Sequence, residues 1–105
     1  MFSIIKIFKK KKIVPHIRLS GVIGSVGRFN QGINFVGQQG IIDKAFSNKK
    51  ALAIAISINS PGGSPVQSHL IYSYIKRLAK KNKKKVLVFT EDVAASGGYL
   101  IACAG

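Results

Sequence analysis

Acidic residues are scarce in this chain: 3 of its 105 residues are Asp or Glu, against 17 Lys or Arg, for a formal net charge of +14. Cysteine is scarcer still. The single Cys103 excludes an intramolecular disulfide, and the isolated His16 and His69 offer no metal-ligand spacing, so redox and zinc chemistry drop out and no cofactor is expected. Long apolar runs are missing too. Met1 to Phe8 holds Phe2, Ile4, Ile5, Ile7 and Phe8 but is broken by Lys6 and ends at a lysine run. A bilayer span needs roughly 20 apolar residues, and a secretory signal carries its charges ahead of the apolar stretch with a cleavage site behind it. Neither a span nor a cleaved signal is expected.

What is present is a globular composition. Hydrophobic residues make up 47% of the chain, too many for a disordered basic tail, and the length suits one core. The excess charge invites a polyanion reading, so the placement of the cations matters. Lys6, Lys9, Lys10, Lys11 and Lys12 crowd the N-terminus, and Lys76, Arg77, Lys80, Lys81, Lys83, Lys84 and Lys85 crowd one later segment. Residues 1–12 read as a basic amphipathic tail whose Lys9, Lys10, Lys11 and Lys12 suit an anionic membrane surface, or else as a frayed solvated tail. Tyr72 and Tyr74 beside the later basic block, and Phe29 and Phe35 before it, read as packing residues. No nucleic-acid motif accompanies them, and nucleic acid is not an expected partner.

The remainder, 13–105, reads as one α/β unit. Ile13 to Ile23 is strand-like with a kink at Gly21, and a glycine-rich loop over Gly24 to Gly40 leads to a short helix over Gly40 to Ser47. The run ALAIAISI, Ala51 to Ile58, has the composition of a strand buried on both faces of a parallel sheet. Ser64 and Pro65 then have the chemistry of a helix cap and first helical residue. Val66, Leu70, Ile71, Tyr74, Ile75 and Leu78 recur at helical spacing to about Lys81, leaving the cations toward water and the helix C-terminus. VLVFT, Val86 to Thr90, reads as a buried strand, Glu91 to Ala95 as a connection, and Tyr99 to Ala104 as an apolar helix with Cys103 a small core residue. Strand, helix, strand, helix implies a parallel sheet with right-handed crossovers.

Two glycine elements follow buried strands and precede helices: SPGGS at 60–64 and ASGGY at 95–99. In a parallel sheet both fall at the carboxyl edge, where ligand sites form. A serine at a helix entrance exposes its hydroxyl, and adjacent glycines free N–H groups to meet a developing oxyanion. Ser96 is the candidate nucleophile, while Ser60 and Ser64 shape or cap the first turn. Either turn alone reads equally as an ordinary β-to-α connection.

Taken in order, NSPGGS, a helix, a strand and DVAASGGYLIA resemble the signal peptide peptidase family of serine peptidases, with a Clp/crotonase-like fold of parallel β-sheet layers and crossover helices. The resemblance implies Ser96 as nucleophile, Gly63 and Gly97 as oxyanion N–H donors, and Gly62 and Ser64 in the substrate-binding turn. It also implies an extended apolar peptide as substrate, a homo-oligomer as the assembled form, and a bacterial cytoplasmic or membrane-associated setting. The family's base is a lysine kept neutral by burial, several tens of residues after the serine or in an earlier domain. Nine residues follow Ser96 here, so the fold is expected to be incomplete at the C-terminus and the base absent. His69, one turn into the long helix, and His16 are the stand-ins the residues offer, with Glu91 and Asp92 as groups to orient a base. The chain alone is expected to be inactive. The rival reading is a truncated fragment that acts only by binding a membrane or a partner.

Overall fold

The computed structural model describes residues 12–24, 32–94 and 97–105, the side chains of 92–94 excepted. Strands β1 (His16–Ser20), β2 (Ala53–Ser60) and β3 (Lys85–Ala94) form one parallel sheet in that order. Helices α1 (Phe35–Ser47) and α2 (Pro65–Asn82) are the crossovers, and α3 (Gly97–Ala102) follows β3. This is the expected α/β arrangement. Because every strand points the same way, all three begin at one edge of the sheet, and α1 and α2 both return the chain to it.

One face of the sheet makes the core. Ile54, Ile56 and Ile58 alternate along β2, and the register sets Ile17 beside Ile56, Leu19 beside Ile58 and Val88 beside Ile56. Ile42, Ala45 and Phe46 of α1, Ile71, Tyr74 and Ile75 of α2 and Ile101 of α3 close over them. Fully burying an aliphatic side chain contributes about 1.5–3 kcal/mol, so each isoleucine of this ridge stabilises the fold by about that much.

The other face differs from expectation. Ala53, Ala55 and Asn59 are half-buried, Leu87 and Phe89 are exposed, and Ser57 is buried with the His16 Nε2 2.6 Å from its Oγ. ALAIAISI is thus buried on one face among the described residues. Its small alanines, not a second packed layer, produce the unbroken apolar look.

Several element boundaries lie elsewhere than the sequence pattern predicts. α1 begins at Phe35, not Gly40, because Asn34 caps it by accepting the Gly37 N–H at 2.7 Å, and Gln67 accepts the Phe35 N–H at 2.7 Å. Phe35 then packs edge-on to Tyr74 with ring centroids 5.1 Å apart. β1 is shorter than Ile13 to Ile23, with Ile13 and Ile23 in isolated bridges. β3 runs on through Glu91 to Ala94, past a bulge opposite Ile58 and Ser60, where a connection was expected. Cys103 is exposed and is not a core residue. α2 starts as expected: Ser64 Oγ accepts the Gln67 N–H, Pro65 opens the first turn, and Lys83 ends the helix at φ 54°.

Candidate active site

The turn after β2 is built by its own serines and glycines. Ser60, fully buried at the strand end, accepts the Gly62 N–H on Oγ at 3.1 Å. Gly62 and Gly63 take φ values of 103° and 147°, a region that favours glycine. A Cβ on Gly63 would sit 2.0 Å from the Ile23 carbonyl oxygen. That closeness is needed, because Ile23 is clipped to the turn on both sides: its N–H donates to Gly62 O at 2.9 Å, and its carbonyl accepts the Ser64 N–H at 2.8 Å. Ser68 Oγ adds a bond to Ser64 O at 2.7 Å.

The second glycine element packs onto the first. A Cβ on Gly97 would lie 2.1 Å from Ser68 Oγ and 3.1 Å from Ile23 Cδ1, and one on Gly98 would lie 3.0 Å from Ser60 O. Both glycines are buried. Ile23, Ser60 and Ser68 therefore sit between the two turns and hold them together at the carboxyl edge of the sheet. Sequence reasoning missed Ile23 and Ser68. Nothing local distinguishes them, since their role appears only when glycine backbone has to press against something.

The donors have different standing. The Gly62 N–H is occupied by Ser60, whereas the Gly63 N–H has no acceptor among the described residues. Gly97 is the first residue of α3, where a helical N–H has no partner in its own helix. Ser64 is engaged as the α2 cap. Ser96 itself lies outside the described residues, as do Phe29 and the tail lysines Lys9, Lys10 and Lys11, while Lys12 is exposed.

No described residue takes the place of a base. His69 is exposed, with Ser73 Oγ 3.3 Å from its Nε2 and the Tyr72 ring 6.4 Å away, both on its own helix. His16 is engaged with Ser57 on the open sheet face. Glu91 pairs with Arg18 at 3.0 Å, and the Asp92 side chain is not among those described. Among the described lysines only Lys84 is not fully exposed, and it donates to the Asn48 carbonyl. The described residues contain no group of three His, Cys, Asp or Glu that could hold a metal ion.

No family model matches the chain. It is 55% identical over 93 residues to a Brucella melitensis protein named Na(+)/H(+) antiporter NhaA, covering 88% of this chain and 13% of that protein. It is 47% identical over 57 residues to the chloroplastic serine protease SPPA of Arabidopsis thaliana, covering 54% of this chain and 8% of that one. Protease 4 of Haemophilus influenzae is 39% identical over 62 residues, 59% of this chain and 10% of its own. The chain is related in part to proteins named as proteases. It spans about a tenth of the length of each of these relatives. No helix among the described residues is long and apolar enough to cross a membrane.

Proposed function

We propose that this chain carries the nucleophile and oxyanion half of a serine peptidase of the signal-peptide-peptidase type, on a Clp/crotonase-like fold. The observation that carries the reading is the packing of Gly97 and Gly98 onto Ile23, Ser60 and Ser68, which brings the residue after Ser96 against the turn that holds the unengaged Gly63 N–H. Ser96 Oγ would attack a peptide carbonyl, passing its proton to a base as the new C–O bond forms. The carbonyl oxygen becomes an anion held by the Gly63 and Gly97 N–H groups. Collapse then breaks the C–N bond, the base returns the proton to the leaving amine, and water hydrolyses the acyl-enzyme. β3 is an edge strand among the described residues, and an extended apolar peptide would be held there by main-chain hydrogen bonds.

The base must come from outside the described residues, because no lysine among them is buried. The name of the antiporter relative supplies no competing mechanism for this segment, which matches 13% of that protein. A chimera tests the reading. The matched stretch of the Haemophilus influenzae protease is replaced by the corresponding residues of this chain and assayed on an apolar peptide. Peptidase activity that disappears with Ser96→Ala is the expected result, and a folded chimera whose activity does not depend on Ser96 refutes it. The purified chain alone is expected to remain unlabelled by a fluorophosphonate probe. Labelling that Ser96→Ala abolishes would show that a base is already present.

A further inference from the structure

Among the described residues, eight of the twelve Lys and Arg gather at the edge of the sheet opposite the glycine turns. Lys12 precedes β1, Lys49 and Lys50 precede β2, and Lys80, Lys81, Lys83, Lys84 and Lys85 close α2 and open β3. These blocks are far apart in sequence but tied together in space. The Ile13 N–H donates to Lys50 O at 2.9 Å, Asn48 Oδ1 accepts the Lys50 N–H at 2.9 Å, Lys84 Nζ donates to Asn48 O, and the Lys84 N–H donates to Ala79 O at 3.0 Å. The acidic residues do not offset them. Asp43 accepts the Tyr74 hydroxyl, Glu91 pairs with Arg18, and Asp92 lies toward the far end of β3.

Apolar side chains are exposed among these lysines. Leu52 is 61%, Val14 48% and Ile13 39% exposed, and the Leu52 N–H donates to Ile13 O at 2.9 Å, which sets these segments side by side next to Lys12, Lys49 and Lys50. We propose that this amino edge, with Leu52 and Val14 at its centre and lysines around it, is a docking face for an anionic lipid surface. Lysines serve such a surface as point charges that need no fixed geometry, and exposed aliphatic side chains enter the acyl boundary. The cations named at this edge are all lysines, which lack the bidentate fork and stacking plane of arginine. Docked this way, the glycine turns at the carboxyl edge face away from the lipid. The inference does not depend on the chemistry of Ser96.

The chain contains no tryptophan, so one placed at Leu52 reports alone. With vesicles of phosphatidylglycerol and phosphatidylcholine in equal parts, Leu52→Trp fluorescence moves to shorter wavelength, and with phosphatidylcholine alone it does not. Val66, 67% exposed at the opposite edge, provides the orientation control: Val66→Trp does not shift on the same vesicles. Each surface lysine is worth about fivefold in affinity, so Lys49→Ala, Lys50→Ala and Lys81→Ala together weaken vesicle binding about a hundredfold. An unchanged Leu52→Trp spectrum while the protein sediments with vesicles would place the contact elsewhere and overturn the proposal. So would failure to sediment with anionic vesicles, or tighter binding to duplex DNA than to those vesicles.

Discussion

Gly63→Ala is the sharpest test of how the two turns are assembled. The substitution adds a methyl carbon 2.0 Å from the Ile23 carbonyl oxygen, on a residue whose φ is 147°. Holding an alanine in that backbone region costs on the order of 1–3 kcal/mol. The contact cannot be relieved by a side-chain rotation, because the neighbour is backbone. Ile23 must move, which weakens the bonds that its N–H and carbonyl make to Gly62 and Ser64, at about 1 kcal/mol each. The total is about 3–5 kcal/mol, a large part of the roughly 5–15 kcal/mol that stabilises an ordinary domain. Urea unfolding followed by far-ultraviolet circular dichroism reads it directly, since a slope of about 1–2 kcal/mol per molar implies a midpoint lower by roughly 2–4 M. Gly40→Ala is the matched control. Gly40 lies inside α1, where an added methyl carbon would meet nothing within 4 Å, and this substitution raises stability by up to about 1 kcal/mol. A Gly63→Ala protein within about 1 kcal/mol of the parent would refute the reasoning that backbone approach at this turn is what requires glycine.

Further outcomes follow from the core, the open face and one titrating pair. Phe46→Ala, at a fully buried site, lowers stability by about 3–5 kcal/mol, whereas Phe89→Ser on the open face changes it by less than about 0.5 kcal/mol; paired urea titrations distinguish the two. Tyr74 has its pKa raised, first by donating its hydroxyl to Asp43 and then by burial, so the folded chain prefers the neutral phenol. The stability this gives is fully present below the ordinary tyrosine pKa of about 10 and is lost as pH rises through the raised folded value. Absorbance at alkaline pH should show a late-titrating tyrosine that Tyr74→Phe removes. Ser60→Ala deprives the Gly62 N–H of its buried acceptor and costs about 1–3 kcal/mol by the same unfolding assay.

The α/β order was legible because its signals are redundant: the Ile54, Ile56, Ile58 ridge, the Ser64–Pro65 start and the helical spacing from Ile71 to Leu78 all agree. The misplaced start of α1 has a different origin. Gly37 reads as a loop residue and Gly40 as the helix start, but an Asn34 cap and a Gln67 side chain reaching across from α2 outweigh the low helix propensity of glycine and carry the helix back to Phe35. The open sheet face could not be read from composition, since alternating alanine and isoleucine looks the same whether the alanine side is covered or bare. The two glycine motifs were visible as motifs. Their mutual packing was not, because Ile23 and Ser68, which lie between them, carry no local signature.

The same topology accounts for both ends of the molecule. In a parallel sheet with helical crossovers, each β-to-α turn falls at the carboxyl edge and each helix returns the chain to the amino edge. At the carboxyl edge the connections here are tight and press backbone against backbone, as Gly63 does on Ile23 and Gly98 on Ser60, so small residues and unengaged N–H groups collect there. At the amino edge α1 and α2 end, and the partial negative charge of a helix C-terminus favours lysine. That preference explains Lys44, Lys80 and Lys81, but it does not reach Lys12, Lys49, Lys50 or Lys85, which lie outside both helices. Helix capping therefore accounts for part of the charge at this edge, and it leaves over Lys12, Lys49 and Lys50, which lie within three residues of the exposed Val14 or Leu52 in sequence.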